Sequence, residues 1–334
     1  MIVPFIAIIL YFLSNYYIYI RFMSYLNLEH NIFSLLIILL LILSMPIGMI
    51  ISKKIKKRNF LYNLGTSWFA IVIISLTFTA ITDIVNIFYY SKYNYYIALT
   101  LIIISIIYGT INAQKIHIIK KKIKANFNLN LVFFSDVHLG DRYGKNELNK
   151  IVQKTIKLNP DIVLIGGDFF DGGLQIKDSE LKVLEKIKVP IFMVLGNHDF
   201  YYGEKKVHEQ LSKYVKILRN EIVKFNEIDI IGIDDSQIYK LDKIKHNKNS
   251  ILLYHRPWNT KSFFNSNAFL MLCGHTHNGQ FLPFIMNFIY KFPYGLKKYK
   301  NKYIYTTSGV LGWGPKIRLG SNNEIVNIKI ENNK

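Results

Sequence analysis

The chain has 334 residues, 51% of them hydrophobic, and a mean hydropathy of +0.18, too apolar for an ordinary water-soluble domain. Its net charge of +20 would suit nucleic acid. However, the Lys, Asn, Ile and Tyr bias runs along the whole length, and part of the charge flanks apolar runs where it meets anionic headgroups, so no nucleic-acid partner is expected. The single cysteine, Cys273, excludes an internal disulfide and reads as a small buried hydrophobe.

The first apolar excess lies in four runs, at about 2–20, 32–51, 61–82 and 95–113. Each is near the ~20 residues that span a bilayer as a helix. None carries the polar stripe of an amphipathic surface helix. The first run, interrupted by Asn15, lacks a basic start and a small-residue cleavage site, so it reads as a retained span. Orientation follows from basic residues in the short connections. Lys53, Lys54, Lys56, Lys57 and Arg58 follow the second run, and Lys115, Lys120, Lys121, Lys122 and Lys124 follow the fourth. The other two connections hold only Arg21 and Lys92. Both clusters on one side predict a multi-pass protein of the cell membrane with both termini in the cytoplasm. A Lys-rich stretch between Gln114 and Asn130 marks the boundary, dividing a transmembrane region 1–124 from a domain 125–334.

Beyond the boundary, strands are predicted at 131–135, 162–165 and 191–195, separated by helices at 145–158 and 179–187 and followed by a helix at 204–214. The remainder is strand-rich, with candidates at 216–218, 222–225, 228–233, 251–254, 269–272, 303–307 and 324–330. Alternation is clear in the last, where Val326, Ile328 and Ile330 oppose Ile325, Asn327 and Lys329. Helix-linked strands followed by hairpin-linked strands predict an α/β fold with two sheets face to face and helices outside, an α/β/β/α sandwich of four layers.

Five of these strands end in short polar motifs. They read Asp136-Val137-His138, Gly167-Asp168, Gly196-Asn197-His198-Asp199, a lone His255, and Gly274-His275-Thr276-His277. Each offers oxygen or imidazole donors, which suit Mn, Fe, Zn or Mg. Donors at the carboxyl ends of successive strands can converge in one crevice. Residues two apart on an extended strand point the same way, so Asp136 with His138, and His275 with His277, could each serve one ion. Any one motif is common, but together and in this order they point to a two-metal phosphoesterase site.

The motif set, order and spacing resemble the calcineurin-like metallophosphoesterases over about 128–330. They are similar above all to the membrane-anchored branch that includes UDP-2,3-diacylglucosamine pyrophosphatase-like enzymes. Asn159-Pro160-Asp161, Gly232-Ile233-Asp234-Asp235 and Gly279-Gln280 share in the likeness. Asn278 stands where that branch carries a second glycine, and its tolerance of left-handed backbone would keep the turn. The resemblance implies the same α/β/β/α sandwich and two divalent metal ions. It implies that Asp136, His138, Asp168 and His277 hold one ion, and that Asp168, Asn197, His255 and His275 hold the other. His198 would be the proton donor, with Asp199 orienting its ring. Asp171, Arg256 and Arg318 are lesser candidates. The implied function is a membrane-anchored hydrolase of a phosphodiester or pyrophosphate, with a lipid-linked substrate favoured. Hydrolysis of soluble nucleotides or phosphomonoesters is one alternative, and a non-catalytic metal-binding membrane protein is another.

The segment 281–300 follows the paired histidines directly and is rich in aromatics, including Phe284, Phe288 and Phe292, with Lys297, Lys298 and Lys300 at its end. It reads either as a core-packing excursion or as an apolar lip with a basic rim that touches lipid.

Overall fold

The computed structural model describes residues 2–235, 237–282 and 285–332, with side chains from residue 6 onward. The chain forms two compact units, Met1–Asn112 with Gly314–Leu319, and Ala113–Trp313 with Gly320–Lys334.

The first unit contains α1 (Ile2–Tyr25), α2 (Ile32–Ile55), α3 (Phe60–Phe88) and α4 (Lys92–Asn112). All four are long and apolar enough to cross a membrane. Asn31 and Asn59 cap α2 and α3, their side chains accepting the amides of Ser34 at 2.9 Å and Tyr62 at 3.0 Å. Several polar groups inside these helices are paired, as an apolar setting favours, although Thr79 Oγ1 and Asn86 Nδ2 have no partner among the described residues. Asn15 accepts the indole N–H of Trp68 at 2.9 Å, so the residue that interrupts the first run ties α1 to α3. Arg21, read from sequence as a connection residue, lies inside α1 and pairs with Asp83 of α3 at 2.8 Å.

The second unit contains β1 (Ile116–Ala125), β2 (Leu129–Phe134), α5 (Lys145–Ile156), β3 (Ile162–Ile165), α6 (Asp178–Leu181), β4 (Ile191–Met193), α7 (Asn197–Tyr202) and α8 (Glu204–Leu211). There follow β5 (Lys216–Ile217), β6 (Glu221–Phe225), β7 (Ile228–Ile233), β8 (Ser250–Tyr254), α9 (Lys261–Asn265) and β9 (Leu270–Cys273). The last elements are α10 (Met286–Ile289), β10 (Gly295–Tyr299), β11 (Lys302–Thr306) and β12 (Asn323–Asn332). One sheet has the order β1-β12-β2-β3-β4-β5 and the other β10-β11-β9-β8-β7-β6. Both are mixed, with β2 to β5 successively parallel and β12 antiparallel to β2.

Side-chain parity explains the layering. In β2, Val132 and Phe134 pack with Leu148, Ile151 and Val152 of α5, while Leu131 and Phe133 pack with Leu253, Leu270 and Leu272 of the other sheet. The outer face of the second sheet, with Ile231, Leu252 and Met271, is covered by Leu241 and Phe263. Strands buried on both faces read as continuous apolar runs, which is why the sequence shows them so plainly. Glu324 of β12 is fully buried and joins the two sheets. Its Oε1 accepts the Tyr305 hydroxyl at 3.0 Å and the Thr307 hydroxyl at 2.8 Å, and its Oε2 accepts the Tyr294 hydroxyl at 2.8 Å.

Three elements differ from the sequence reading. The Lys-rich boundary folds as β1, parallel to β12 from Ile116↔Asn323 to Ala125↔Asn332, so it belongs to the sheet of the second unit. Ile116 and Ile123 are buried while Lys120, Lys122 and Lys124 face water at the sheet edge, where lysines discourage further pairing. The helix expected at 179–187 is one α-turn followed by a 3₁₀ helix, Lys182–Lys186. The segment 281–300 supplies a strand, β10, which pairs antiparallel with β11.

Candidate active site

The motif residues lie just beyond the carboxyl ends of β2, β3, β4, β8 and β9. The backbone there is not extended. Asp136 (φ 61°), His138 (φ 49°), Asp168 (φ 53°), His275 (φ 71°) and His277 (φ 47°) are all left-handed. This corrects the expectation that strand alternation aligns Asp136 with His138 and His275 with His277. Left-handed backbone costs a non-glycine residue on the order of 1 kcal/mol, and such residues cluster at functional sites. Hydrogen bonds between the loops hold the conformation. The Asp136 amide donates to Gly167 O at 3.0 Å, and the His138 amide to Asp168 O at 3.1 Å. The His275 amide donates to the Asp136 carboxylate at 3.1 Å. Asn278 is left-handed as expected, with φ 47°.

Close backbone approach makes two glycines necessary. A Cβ at Gly274 would collide with Ser135 Oγ and stand 2.5 Å from Asp136 Oδ2. One at Gly196 would collide with Asp168 Oδ1.

The side chains gather into three groups. Donor atoms of Asp136, His138 and His277 lie within 4.8 Å of one another, as do those of Asp168, His255 and His275, and those of His138, Asp171 and His198. His138 Nε2 and His277 Nε2 face each other at 3.1 Å. His255 donates from Nδ1 to Gly166 O at 2.8 Å, which turns its Nε2 towards Asp168 Oδ2 at 3.0 Å. Asn197 Oδ1 is buried with no hydrogen-bond partner among the described residues. A buried lone pair without a donor is costly unless something electropositive satisfies it. The donor set is therefore that of a cation site. It holds oxygen and imidazole nitrogen with no thiolate, since Cys273 packs in the core.

Charge is dense here. Burial would raise the Asp168 pKa, but His255 beside it outweighs burial and holds the carboxyl well below the usual range. Burial lifts Asp136 above it. Burial and the neighbouring His255 push His275 down to about 3, leaving a neutral ring with a free lone pair. For His198, burial opposes protonation, yet Asp171 and Asp168 lift its pKa to about 9.

The partner of His198 is Asp171, not Asp199. His198 Nδ1 lies 3.0 Å from Asp171 O and 3.3 Å from Asp171 Oδ1. The same Oδ1 is 3.4 Å from His138 Nδ1. Asp199 is turned away and fully buried. Its Oδ1 accepts the amides of Phe169 and Phe170 at 3.0 Å each, and its Oδ2 accepts the Gly196 amide at 3.0 Å. It closes the N-terminus of α7, a structural use that excludes the orienting role expected of it. Sequence proximity favoured Asp199; the available signal for Asp171 was a second carboxylate three residues after Asp168.

Aromatic rings flank the site. Trp313 stands 6.1 Å and Tyr201 5.3 Å from His198, ring to ring, and Tyr290 stands 6.3 Å from His275. Gln280 fixes the Trp313 backbone through both ends of its amide, at 3.0 and 3.1 Å. Arg256 pairs with Asp235 at 2.9 Å, and its buried Nε has no hydrogen-bond partner among the described residues. Arg318 is not a solvated loop residue. It is buried in the helical unit, its amide bonded to Gly109 O at 2.9 Å.

A two-sheet α/β domain with carboxylate, amide and imidazole donors gathered at its strand ends has the build of a metallophosphoesterase. Residues 129–279 match the family model described as calcineurin-like phosphoesterase, a family whose members normally use two divalent metals. The chain is 33% identical over 227 residues to an uncharacterized metallophosphoesterase of Campylobacter jejuni, covering 62% of this chain and 60% of the relative. It is 28% identical over 274 residues to a transmembrane protein with metallophosphoesterase domain of Danio rerio, covering 70% and 62%. An uncharacterized metallophosphoesterase of Aquifex aeolicus is 29% identical over 241 residues, covering 66% and 92%. The chain spans about 60% of the length of the first curated relatives it matches.

Proposed function

We propose that this chain is a membrane-anchored, two-metal phosphohydrolase that cleaves a phosphodiester or pyrophosphate bond of a lipid or lipid precursor, as the UDP-2,3-diacylglucosamine pyrophosphatase-like enzymes do. The observation that carries the reading is the pair of largely buried donor groups, Asp136 with His138 and His277, and Asp168 with His255 and His275. In this reading Asp136, His138, Asp168 and His277 hold one ion, and Asp168, Asn197, His255 and His275 the other. Such ions, when bound, activate water and neutralise charge on phosphoryl oxygens. The chain's own groups do the rest. Asp171 accepts a hydrogen bond from His198 Nδ1–H and stabilises the imidazolium, whose Nε2–H protonates the departing oxygen. Arg256, held from one side by Asp235, offers its remaining N–H groups to a phosphoryl oxygen. The apolar helices keep the site at the bilayer, where a lipid phosphoester resides. The basic connections favour the cytoplasmic face of the cell membrane.

The test is a substrate screen. Detergent-purified full-length protein, loaded with Mn, is assayed against nucleoside diphosphate-lipids, phospholipids and a chromogenic diester, with metal content measured in parallel. Turnover of a lipid phosphoester with two ions per chain is expected, and Asp168→Asn should lose both ions. Active protein with one ion, or metal-loaded protein that cleaves nothing in the panel, would overturn the reading.

A further inference from the structure

The segment after the paired histidines divides into an anchored part and an exposed part. Phe292 packs against the core of the second sheet. The Thr306 hydroxyl donates to Phe292 O at 2.8 Å. Thr276, which stands between His275 and His277, donates its hydroxyl to Pro293 O at 2.7 Å. The root of the segment is thus fastened to the same loop that carries two candidate ligands. Phe292 therefore belongs to the core, against the expectation that all the aromatics form a lip. Phe284 lies outside the described residues.

The exposed part is apolar. No residue of α10 is buried. Phe288 is 90% exposed, Ile289 53% and Ile285 39%, a cost to the folded state with no return from packing. Tyr290 joins this surface to the site, with its ring 6.3 Å from His275 and 5.7 Å from Trp258, which is itself 50% exposed. Lys291, Lys297 and Lys298 are exposed on the same segment. An apolar surface continuous with candidate metal ligands and edged by lysines matches a ligand with hydrocarbon on one side and phosphate on the other.

We infer that Ile285, Phe288, Ile289, Tyr290 and Trp258 form a ledge that binds the hydrocarbon of a lipid phosphoester while its phosphate lies among the candidate ligands. This rests on the lipid reading above. The ledge sets chain-length preference. Thr276, by fastening its root, keeps it in register with the site.

The experiment uses full-length protein at one fixed detergent concentration and p-nitrophenyl alkyl phosphodiesters from methyl to dodecyl, so that only the alkyl group varies. Wild type should show kcat/KM rising with chain length. Phe288→Ser and Trp258→Ser should each lower kcat/KM for the dodecyl ester about tenfold, the scale of one apolar contact, mainly through KM. The methyl ester, too short to reach the ledge, should be cleaved within about twofold of wild type, and Phe288→Leu should restore the preference. Equal losses on methyl and dodecyl esters would make the segment structural and overturn the inference. So would an unchanged slope in both Ser variants, including the case where Phe288→Ser only alters the mass measured by light scattering, which would make the surface a contact between copies. Wild type that cleaves the methyl ester without any chain-length preference would instead bring down the lipid reading itself.

Discussion

Replacing Asp171 by Asn keeps the size of the side chain and removes its charge. One carboxylate oxygen of Asp171 lies 3.3 Å from His198 Nδ1 and 3.4 Å from His138 Nδ1, so it orients two rings at once. Hydrogen bonds to an ionised acceptor contribute about 1.5–3 kcal/mol and neutral ones about 1 kcal/mol, so each ring loses on the order of 1 kcal/mol. On the His138 side this appears as metal binding weaker by about fivefold, near the lower end of the cost of losing a carboxylate behind a ligating imidazole. On the His198 side it appears in turnover. The imidazolium loses its main stabilising partner, and kcat at saturating metal should fall about tenfold or more, most for diesters with basic leaving groups. The assay is a Mn titration read by elemental content and by kcat over a leaving-group series. Excess Mn should restore occupancy but not rate. If Asp171→Asn binds metal and turns over like wild type while Asp199→Asn, correctly folded, reproduces the rate loss, the orienting role returns to Asp199.

Three other outcomes follow from the same geometry. His198→Ala should keep its metal and lose about 10²–10⁴-fold in turnover, less with good leaving groups; loss of metal instead would place His198 among the ligands. Asp199→Ala should act on stability, because three buried amides lose their acceptor at about 1–3 kcal/mol each, and a thermal melt unchanged from wild type would refute the capping role. Reporter fusions at the C-terminus and near Tyr93 should report opposite sides, cytoplasmic for the first, and cleavage of the second unit by protease added to intact cells would reverse the orientation.

The donors were legible because the chemistry restricts them. Only a few side chains offer oxygen or imidazole donors, and each stood directly after an apolar strand. Every one of Asp136, His138, Asp168, Asn197, His255, His275 and His277 emerges at one end of the sheets. What connects them was less legible. Asp199 is adjacent to His198 in sequence and Asp171 is 27 positions away, and only the fold shows that the distant one meets the ring while the adjacent one caps α7. The left-handed backbone at five of these positions has no local signature, since Asp and His adopt it only under tertiary constraint. Asn278, whose side chain does tolerate it, was the exception and was readable. β1 was hidden for a compositional reason: lysines on its exposed side masked the alternation of its isoleucines. Arg21 was misplaced because a charge inside an apolar run reads as the end of a span, and its partner Asp83 lies 62 positions away in the numbering.

The strain and the unsatisfied amide at the site have a consequence for stability. Five left-handed residues and the buried Asn197 Oδ1, which has no donor among the described residues, raise the energy of the folded domain. Cations bound by these groups would offset that cost, because a ligand that binds only the folded state stabilises it by about 2.7 kcal/mol at a hundredfold excess over Kd. Two ions would contribute about twice that, a large part of the 5–15 kcal/mol typical of a domain. Chelation of the full-length protein should therefore lower its melting temperature, and Mn should restore it. If Asp168 serves both ions, as proposed, the response to chelator should largely vanish in Asp168→Asn. The loops, rather than α5 or the strands, should gain hydrogen exchange on metal removal, since the strands keep their own bonds. If elemental analysis shows the metal gone while melting temperature and exchange stay fixed, the site pays for its geometry without cations, and the fit between these residues and two ions is not energetic.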